Sequence, residues 1–400
     1  MRMKIINFFK RHPFWVNLFW FISRGLLNFY GLFVKQNKKM MIFVSLGGRD
    51  FGDSPRAIYE KFILDNAYND WIFVWAFSNP TKFDIPRGII IKIDTLKYFN
   101  YLFRSKVWIC NSDIDRCIGL KKKGVIRVET WHGSALKKGY GEENETAIGG
   151  KKAQKNKNKK PIDSSTIRCA QGPRDVEILS RLFHADPNCF VKGLPRNDAL
   201  VNYSMDSIIE IKKSLGLPLD KKIILYTPTF REYQWDKKRN LYFKPPLNLE
   251  KWQSFLGKEY VFLFRAHYAV LNSLDFKDNN FAKNVSSYPN INDLYLISDI
   301  MISDYSSTFI DFSILERPMM CFGYDYDEFN KKRGFFWDLS SVLPCAIDSS
   351  EDEIIKKILE LNYEEASKKS LLFKKDFAPW VGRGTRNVIE EIERRLNNRN

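Results

Sequence analysis

Residues 299-DIMISDYSSTFIDFSILERP-318 change character twice. An apolar run ends at Ser303, a turn of small polar residues follows, and apolar positions then recur at helical spacing as far as Leu315. Buried strand, short turn and helix make one unit of a parallel sheet covered on both faces. In such sheets ligands bind beyond the carboxyl ends of the strands. Ser306, Ser307 and Thr308 stand there, where unpaired backbone N–H groups and the helix dipole favour an anion. An ordinary Ser/Thr cap on a helix reads the same from sequence.

The same grammar runs outward in both directions. Toward the carboxyl terminus comes the strand 318-PMMCFGY-324. Upstream lie 260-YVFLFRA-266, 222-KIILYTP-228, 189-CFVKG-193 and 167-IRCAQ-171. Beyond a charged low-complexity stretch, 151-KKAQKNKNKK-160, the series continues with 125-VIRVET-130, 107-VWIC-110, 88-GIIIKI-93, 71-WIFVWAF-77 and 41-MIFVSL-46. Helical patterns separate many of these runs, and Asp53-Ser54-Pro55 has the form of a helix start. The expected fold class is therefore α/β, with two Rossmann-like domains in the two-domain glycosyltransferase (GT-B-type) layout and a cleft between them. The expected divisions are 1–38 as an amphipathic amino-terminal helix, 39–200 and 201–384 as the two domains, and 385–400 as a final helix.

Three further strand ends carry candidate chemistry. In 262-FLFRAHY-268, Arg265 and His267 are two apart and share a face, a pair suited to a diphosphate. In 226-YTPTFR-231, Thr229 and Arg231 follow the strand. In 130-TWHGSALKK-138, His132 precedes a Gly that allows close approach, and Lys137 and Lys138 add positive charge. A neutral imidazole suits a general base toward a hydroxyl, although a histidine held by the backbone for structure fits the same position.

The 400 residues carry a formal charge of +17, which favours phosphate-rich or anionic-surface partners. No nucleic-acid module is visible, and the Lys run 151–160 has no interleaved aromatics, so nucleic acid is not the expected partner. Six cysteines show no metal-ligand spacing and read as reduced, buried thiols. Two D-x-D runs, Asp113–Asp115 and Asp325–Asp327, could hold a metal on a diphosphate, but nearby cations suffice, and neither metal nor cofactor is expected. Residues 13-PFWVNLFWFISRGLLNFYGLF-33 are apolar around most of a helix, with Lys10, Asn17, Arg24, Asn28 and Lys35 on a narrow stripe. That is the pattern of a helix lying in the membrane interface.

Taken in order, D-S-P-R-A-I-Y-E (53–60), T-W-H-G-S-A-L-K-K (130–138), Y-T-P-T-F-R (226–231), F-R-A-H-Y (264–268), I-S-D-Y-S-S (302–307) and R-G-F-F-W-D (333–338) resemble the CDP-glycerol glycerophosphotransferase family of teichoic acid and capsule synthesis. The resemblance spans roughly residues 40–390. It implies a GT-B-like fold, peripheral attachment to the cytoplasmic face of the cell membrane, and a CDP-glycerol donor (CDP-ribitol or another polyol being the near alternative). The acceptor it implies is a lipid-linked or polymeric polyol phosphate. Sugar transfer from a nucleotide-sugar on the same fold is the remaining alternative. His132 matches the family's catalytic base and His267 a second essential histidine near the diphosphate. Ser306, Ser307 and Thr308 match its phosphate-binding helix start. Thr229, Arg231, Arg265 and Asp304 are expected on the donor, and Gly133, Ser134, Lys137, Lys138 and Arg333 at the acceptor or its phosphates. The chain departs from the family at Leu343-Pro344-Cys345-Ala346 and at Arg383-Gly384.

Overall fold

Apolar runs flanked by helices become parallel strands, and every strand expected from the sequence is present. The structure, a computed structural model, describes residues 13–116, 118–138, 161–231, 233–234, 245–266, 276 and 278–398. The chain forms two compact units. One comprises 1–132, 165–169 and 385–400; the other comprises 133–164 and 170–384. This division does not follow a boundary at residue 200. The chain passes from one unit to the other at the His132–Gly133 peptide bond, and its final helix is counted with the first unit.

In the first unit, β1 (Asn37–Val44), β2 (Ile72–Phe77), β3 (Ile89–Lys92), β4 (Ser105–Cys110), β5 (Ile126–Glu129) and β6 (Ile167–Ala170) stand in the order β3-β2-β1-β4-β5-β6. All these pairs are parallel, with Ile42 opposite both Val74 and Trp108. The strands are continuous apolar runs because both faces are covered: all six residues of β4 are buried. Phe43 stacks on Trp75 at 5.3 Å, with Tyr59 edge-on to both. The carboxy-terminal helix Gly384–Asn397 is tied in by Tyr68, whose hydroxyl donates to Glu393 at 2.6 Å.

The second unit holds β7 (Phe190–Lys192), β8 (Lys222–Thr227), β9 (Tyr260–Phe264), β10 (Ala282–Asn284), β11 (Ile300–Ser303), β12 (Met319–Phe322) and β13 (Ile347–Asp348). The last six form a parallel sheet in the order β10-β9-β8-β11-β12-β13. Leu225, Tyr226 and Ile302 at its centre are at most 1% exposed. Each side chain of that size contributes about 1.5–3 kcal/mol by leaving water. β10 and β13 have only three and two residues and sit at the edges, too short to leave a hydrophobic pattern.

In both sheets the strand order reverses direction once, between β1 and β4 and between β8 and β11. The carboxyl ends beside these reversals are the places where open α/β sheets bind ligands. The motif residues 229–231 follow β8, and residues 304–308 follow β11.

The amino-terminal helix Pro13–Phe33 packs on the first unit around Asn28 and Gly31, while Arg24 and Lys35 of the expected polar stripe are exposed. Asn28 Oδ1 accepts from the backbone N–H of Lys121 at 2.7 Å, and Lys122 Nζ donates to the carbonyls of Gly31 and Val34 at 2.5 and 2.6 Å. A Cβ at Gly31 would stand 2.7 Å from the Phe103 ring. Phe21, Leu26, Phe29, Leu32 and Phe33 are 62–76% exposed. Among the described residues, no helix is long and apolar enough to cross a membrane.

Candidate functional site

His132 lies at the end of the first unit, on the turn after β5. Its Nδ1 is 3.1 Å from the carbonyl oxygen of Asn111, the residue following β4. That carbonyl can only accept a hydrogen bond, so Nδ1 carries the hydrogen and the lone pair rests on Nε2. Asn111 is itself held by accepting the Leu46 N–H on its Oδ1 at 2.7 Å. The imidazole is exposed, and its ring centroid is 4.0 Å from that of Trp131. Both neighbours have left-handed backbone, with φ of 59° at Trp131 and 146° at Gly133. A non-glycine residue in that region costs of order 1–3 kcal/mol, a strain that collects at functional sites.

Gly133 opens the second unit and sits against the β11 turn. A Cβ at this position would stand 3.2 Å from Ser307 Oγ and 3.5 Å from Arg196 Nη2. Glycine is therefore required by both conformation and space. Ser307 is the first residue flanking the Thr308–Ser313 helix, yet its side chain makes no capping hydrogen bond. Ser306 Oγ accepts a long bond from the Thr308 N–H at 3.3 Å. The ordinary-cap reading thus fails for Ser307 and holds weakly for Ser306.

Lys137, Lys138 and Arg333 come together through the backbone. The Lys138 N–H donates to Gly334 O at 3.1 Å, and the Phe336 N–H donates to Leu136 O at 3.0 Å. Lys137 and Phe335 form an antiparallel bridge. Phe335 packs at 5.6 Å on both Tyr305 and Phe329, so residues 136–138 and the R-G-F-F-W-D stretch are fastened to D-Y-S-S. All three cationic side chains are half-buried.

Four expected contact residues, Arg231, Asp304, Ser134 and Thr308, have side-chain partners within the protein. Arg231 is fully buried, donating from Nε and Nη2 to the two oxygens of Asp325 at 2.7 Å and from Nη1 to Asp304 at 2.8 Å. Its guanidinium carbon lies 5.0–5.1 Å from the rings of Tyr305, Tyr324 and Phe329. Asp304, also fully buried, accepts from the N–H groups of Thr229 and Tyr305 at 2.9 and 2.6 Å. These two clamp the ends of β8 and β11 together. The same pairing occupies Asp325 of the second D-x-D run. Ser134 is buried, donating to Asp175 at 2.7 Å and accepting from Gln171 Nε2 at 2.9 Å. The Thr308 hydroxyl is 3.1 Å from Ser303 Oγ and 3.2 Å from Thr227 Oγ1.

The remaining expected residues divide as follows. Arg265 is half-buried at the end of β9, with Nη1 donating to Tyr288 O at 2.6 Å. Thr229 is 6% exposed, and its hydroxyl has no partner among the described residues. His267 lies outside the described residues, as does the 151–160 stretch. Among the described residues, no group of three or more His, Cys, Asp or Glu is placed to hold a metal ion.

Beneath Gly133 runs a buried polar network that the sequence did not announce. Asp311 Oδ2 accepts from Arg196 Nη2 at 2.5 Å, and its Oδ1 accepts from Asn197 at 2.6 Å and Gln171 at 3.0 Å. Asn197 also donates to Gln171 Oε1 at 2.7 Å. Gln171 continues the network to Ser134 and Asp175. Burial pushes the Asp175 carboxyl up to about 6, against the lowering effect of its hydrogen bonds from Gln171 and Ser134. The partners of Asp311 come from 114 to 140 residues away, so no local motif could reveal them.

Comparison with known proteins accords with this geometry. The profile of the family described as CDP-Glycerol:Poly(glycerophosphate) glycerophosphotransferase matches residues 26–394. The chain is similar to the teichoic acid poly(glycerol phosphate) polymerase of Bacillus spizizenii, 30% identical over 365 residues that cover 89% of this chain and 92% of that protein. It is 33% identical over 332 residues to the protein of that description from Staphylococcus epidermidis, covering 81% of this chain but only 46% of that longer protein. Among solved structures it resembles the wall teichoic acid polymerase TagF, with a TM-score of 0.83 and 28% identity over 98% of this chain and 99% of that one. A TagF variant soaked with CDPG also aligns at 0.83, with 29% identity over 94% of this chain and 93% of that one. The two parallel sheets, the ordered motifs and a match over nearly the whole length meet in one conclusion: this chain belongs to the CDP-glycerol:poly(glycerophosphate) glycerophosphotransferase family.

Proposed function

We propose that this protein transfers glycerol phosphate from CDP-glycerol to a hydroxyl of a lipid-linked or polymeric acceptor, with release of CMP. The observation that carries the reading is the approach of Gly133 to Ser307, which sets the residue after His132 against the β11 turn. The acceptor hydroxyl gives its proton to Nε2 of His132 as its oxygen bonds to the β-phosphorus. The bond from that phosphorus to the bridging oxygen breaks, and its electron pair leaves with CMP. Ser306 and Ser307 contact the diphosphate, Arg265 and His267 add positive charge on the donor side, and Lys137, Lys138 and Arg333 draw the anionic acceptor. Catalysis of this kind is positioning and electrostatic stabilisation.

The exposed apolar face of the Pro13–Phe33 helix supports a peripheral seat on the cytoplasmic face of the cell membrane. Asn28 is held by the protein while Phe21, Leu26, Phe29, Leu32 and Phe33 are exposed, so the apolar side is available to the acyl boundary. Such a seat brings a lipid-linked acceptor to the protein.

The test of donor class is CMP release by the purified full chain given CDP-glycerol, CDP-ribitol or a nucleotide-sugar, with an acceptor bearing terminal glycerol phosphate. CDP-glycerol is expected to be turned over fastest. Preference for CDP-ribitol, or release of a nucleoside diphosphate from a nucleotide-sugar, would reject the assignment.

A further inference from the structure

A buried ion pair is a poor explanation of itself. Removing two charges from water costs several kcal/mol per ion, and apolar residues of similar volume often stabilise a fold as well or better. The Arg196–Asp311 pair, with side chains 13% and 3% exposed, calls for a further reason. Its position supplies one. Arg196 Nη2 is 3.5 Å from the point where a Cβ would stand on Gly133, and Ser307 Oγ is 3.2 Å from the same point. A guanidinium and a hydroxyl thus converge on the glycine that follows the candidate base.

The guanidinium is also held in place. Asp311 fixes it from below, and Gln171 and Asn197 fix Asp311. Asn292 donates to the Arg196 carbonyl at 2.7 Å, anchoring the main chain of the Pro195–Leu200 turn. A cation oriented before substrate arrives need not be reorganised when charge develops. Arginine suits this use because its planar fork can give one edge to a carboxylate and another to a phosphate.

We propose that Arg196 binds the transferred (β) phosphoryl group of the donor beside Ser307, and that Asp311 is the residue that positions it. The proposal rests on the CDP-glycerol reading above. In the transfer, the β-phosphorus gains the acceptor oxygen and loses the bridging oxygen to CMP. Arg196 stabilises negative charge on the non-bridging oxygens and exchanges no proton.

CMP lacks the β-phosphate, and this separates a ligand contact from a structural role. Equilibrium binding of CDP-glycerol and of CMP is measured on the full chain for wild type, Arg196→Gln, Arg196→Lys and Asp311→Asn, with thermal unfolding alongside. Losing a hydrogen bond to a charged group should weaken CDP-glycerol by about 10- to 100-fold in Arg196→Gln. A smaller loss is expected in the other two variants, and CMP affinity should stay unchanged. Equal weakening of both ligands, or weakening of neither, would overturn the proposal. So would failure of both Arg196 variants to fold, which would make the residue part of the framework. Wild type that binds CMP but not CDP-glycerol would instead reject the donor reading, and this proposal with it.

Discussion

At His132 the choice of tautomer rests on one backbone carbonyl. Asn111 O holds the Nδ1 hydrogen and thereby leaves the lone pair on Nε2, the atom assigned as base in the proposed mechanism. Replacing His132 with Ala should lower CMP release by about 10²- to 10⁴-fold, the usual contribution of a general base. CDP-glycerol affinity should change little, because the base acts on the acceptor. Activity within a few-fold of wild type, measured by CMP release, would remove His132 from the mechanism. Ser307 makes a complementary prediction. Its side chain caps no N–H, so Ser307→Ala should leave thermal stability within about 0.5 kcal/mol. It should raise the KM for CDP-glycerol by about tenfold or more. Lost stability with unchanged KM would restore the capping role. At this scale the sequence showed which residues follow strands but not which way each side chain is used. Arg231 follows β8 as a ligand would, yet the carboxylates that claim it lie 73 and 94 residues away. Gly133 was legible because only glycine tolerates that backbone, whereas Arg196 had no local signature.

The elements meet through buried polar contacts as much as through apolar packing. Asp175, on the Pro173–Phe183 helix, joins that helix to Ser134 and to Gln171 after β6. Its carboxyl is pushed from the ordinary 3.8 up to about 6, chiefly by burial. The folded protein therefore holds this proton more tightly than the unfolded chain does. The stability this group contributes is present below about pH 4 and is lost as pH rises through about 6. A rise from 3.8 to about 6 corresponds to roughly 3 kcal/mol. Asp175→Asn keeps the acceptor oxygen and removes the titration. The unfolding free energy of wild type minus that of the variant should fall by roughly this amount between about pH 3 and pH 7. Denaturant titrations at several pH values measure it, and a constant difference would contradict the assignment. The strand series was legible because parallel strands covered on both faces are continuous apolar runs. β10 and β13 were not, since two or three residues at an edge carry no period.

For the whole molecule, the claim is a membrane-seated transferase of glycerol phosphate. The amphipathic character of residues 13–33 was plain in the sequence, but its orientation was not. Asn28 finds its partner at Lys121, far along the chain, and so turns inward, while Arg24 and Lys35 stay exposed. Replacing Phe21, Leu26, Phe29 and Leu32 together with Ser should abolish flotation with anionic liposomes while leaving CMP release on a short soluble acceptor intact. Equal flotation of variant and wild type would place the anchor elsewhere. The central claim is tested most directly by mass analysis of the product that the full chain builds from CDP-glycerol on a defined lipid-linked acceptor, with CMP counted in parallel. The account predicts growth of the acceptor by glycerol phosphate units, one CMP for each unit added. Growth by sugar units with release of a nucleoside diphosphate, or CMP release without growth of the acceptor, would contradict it.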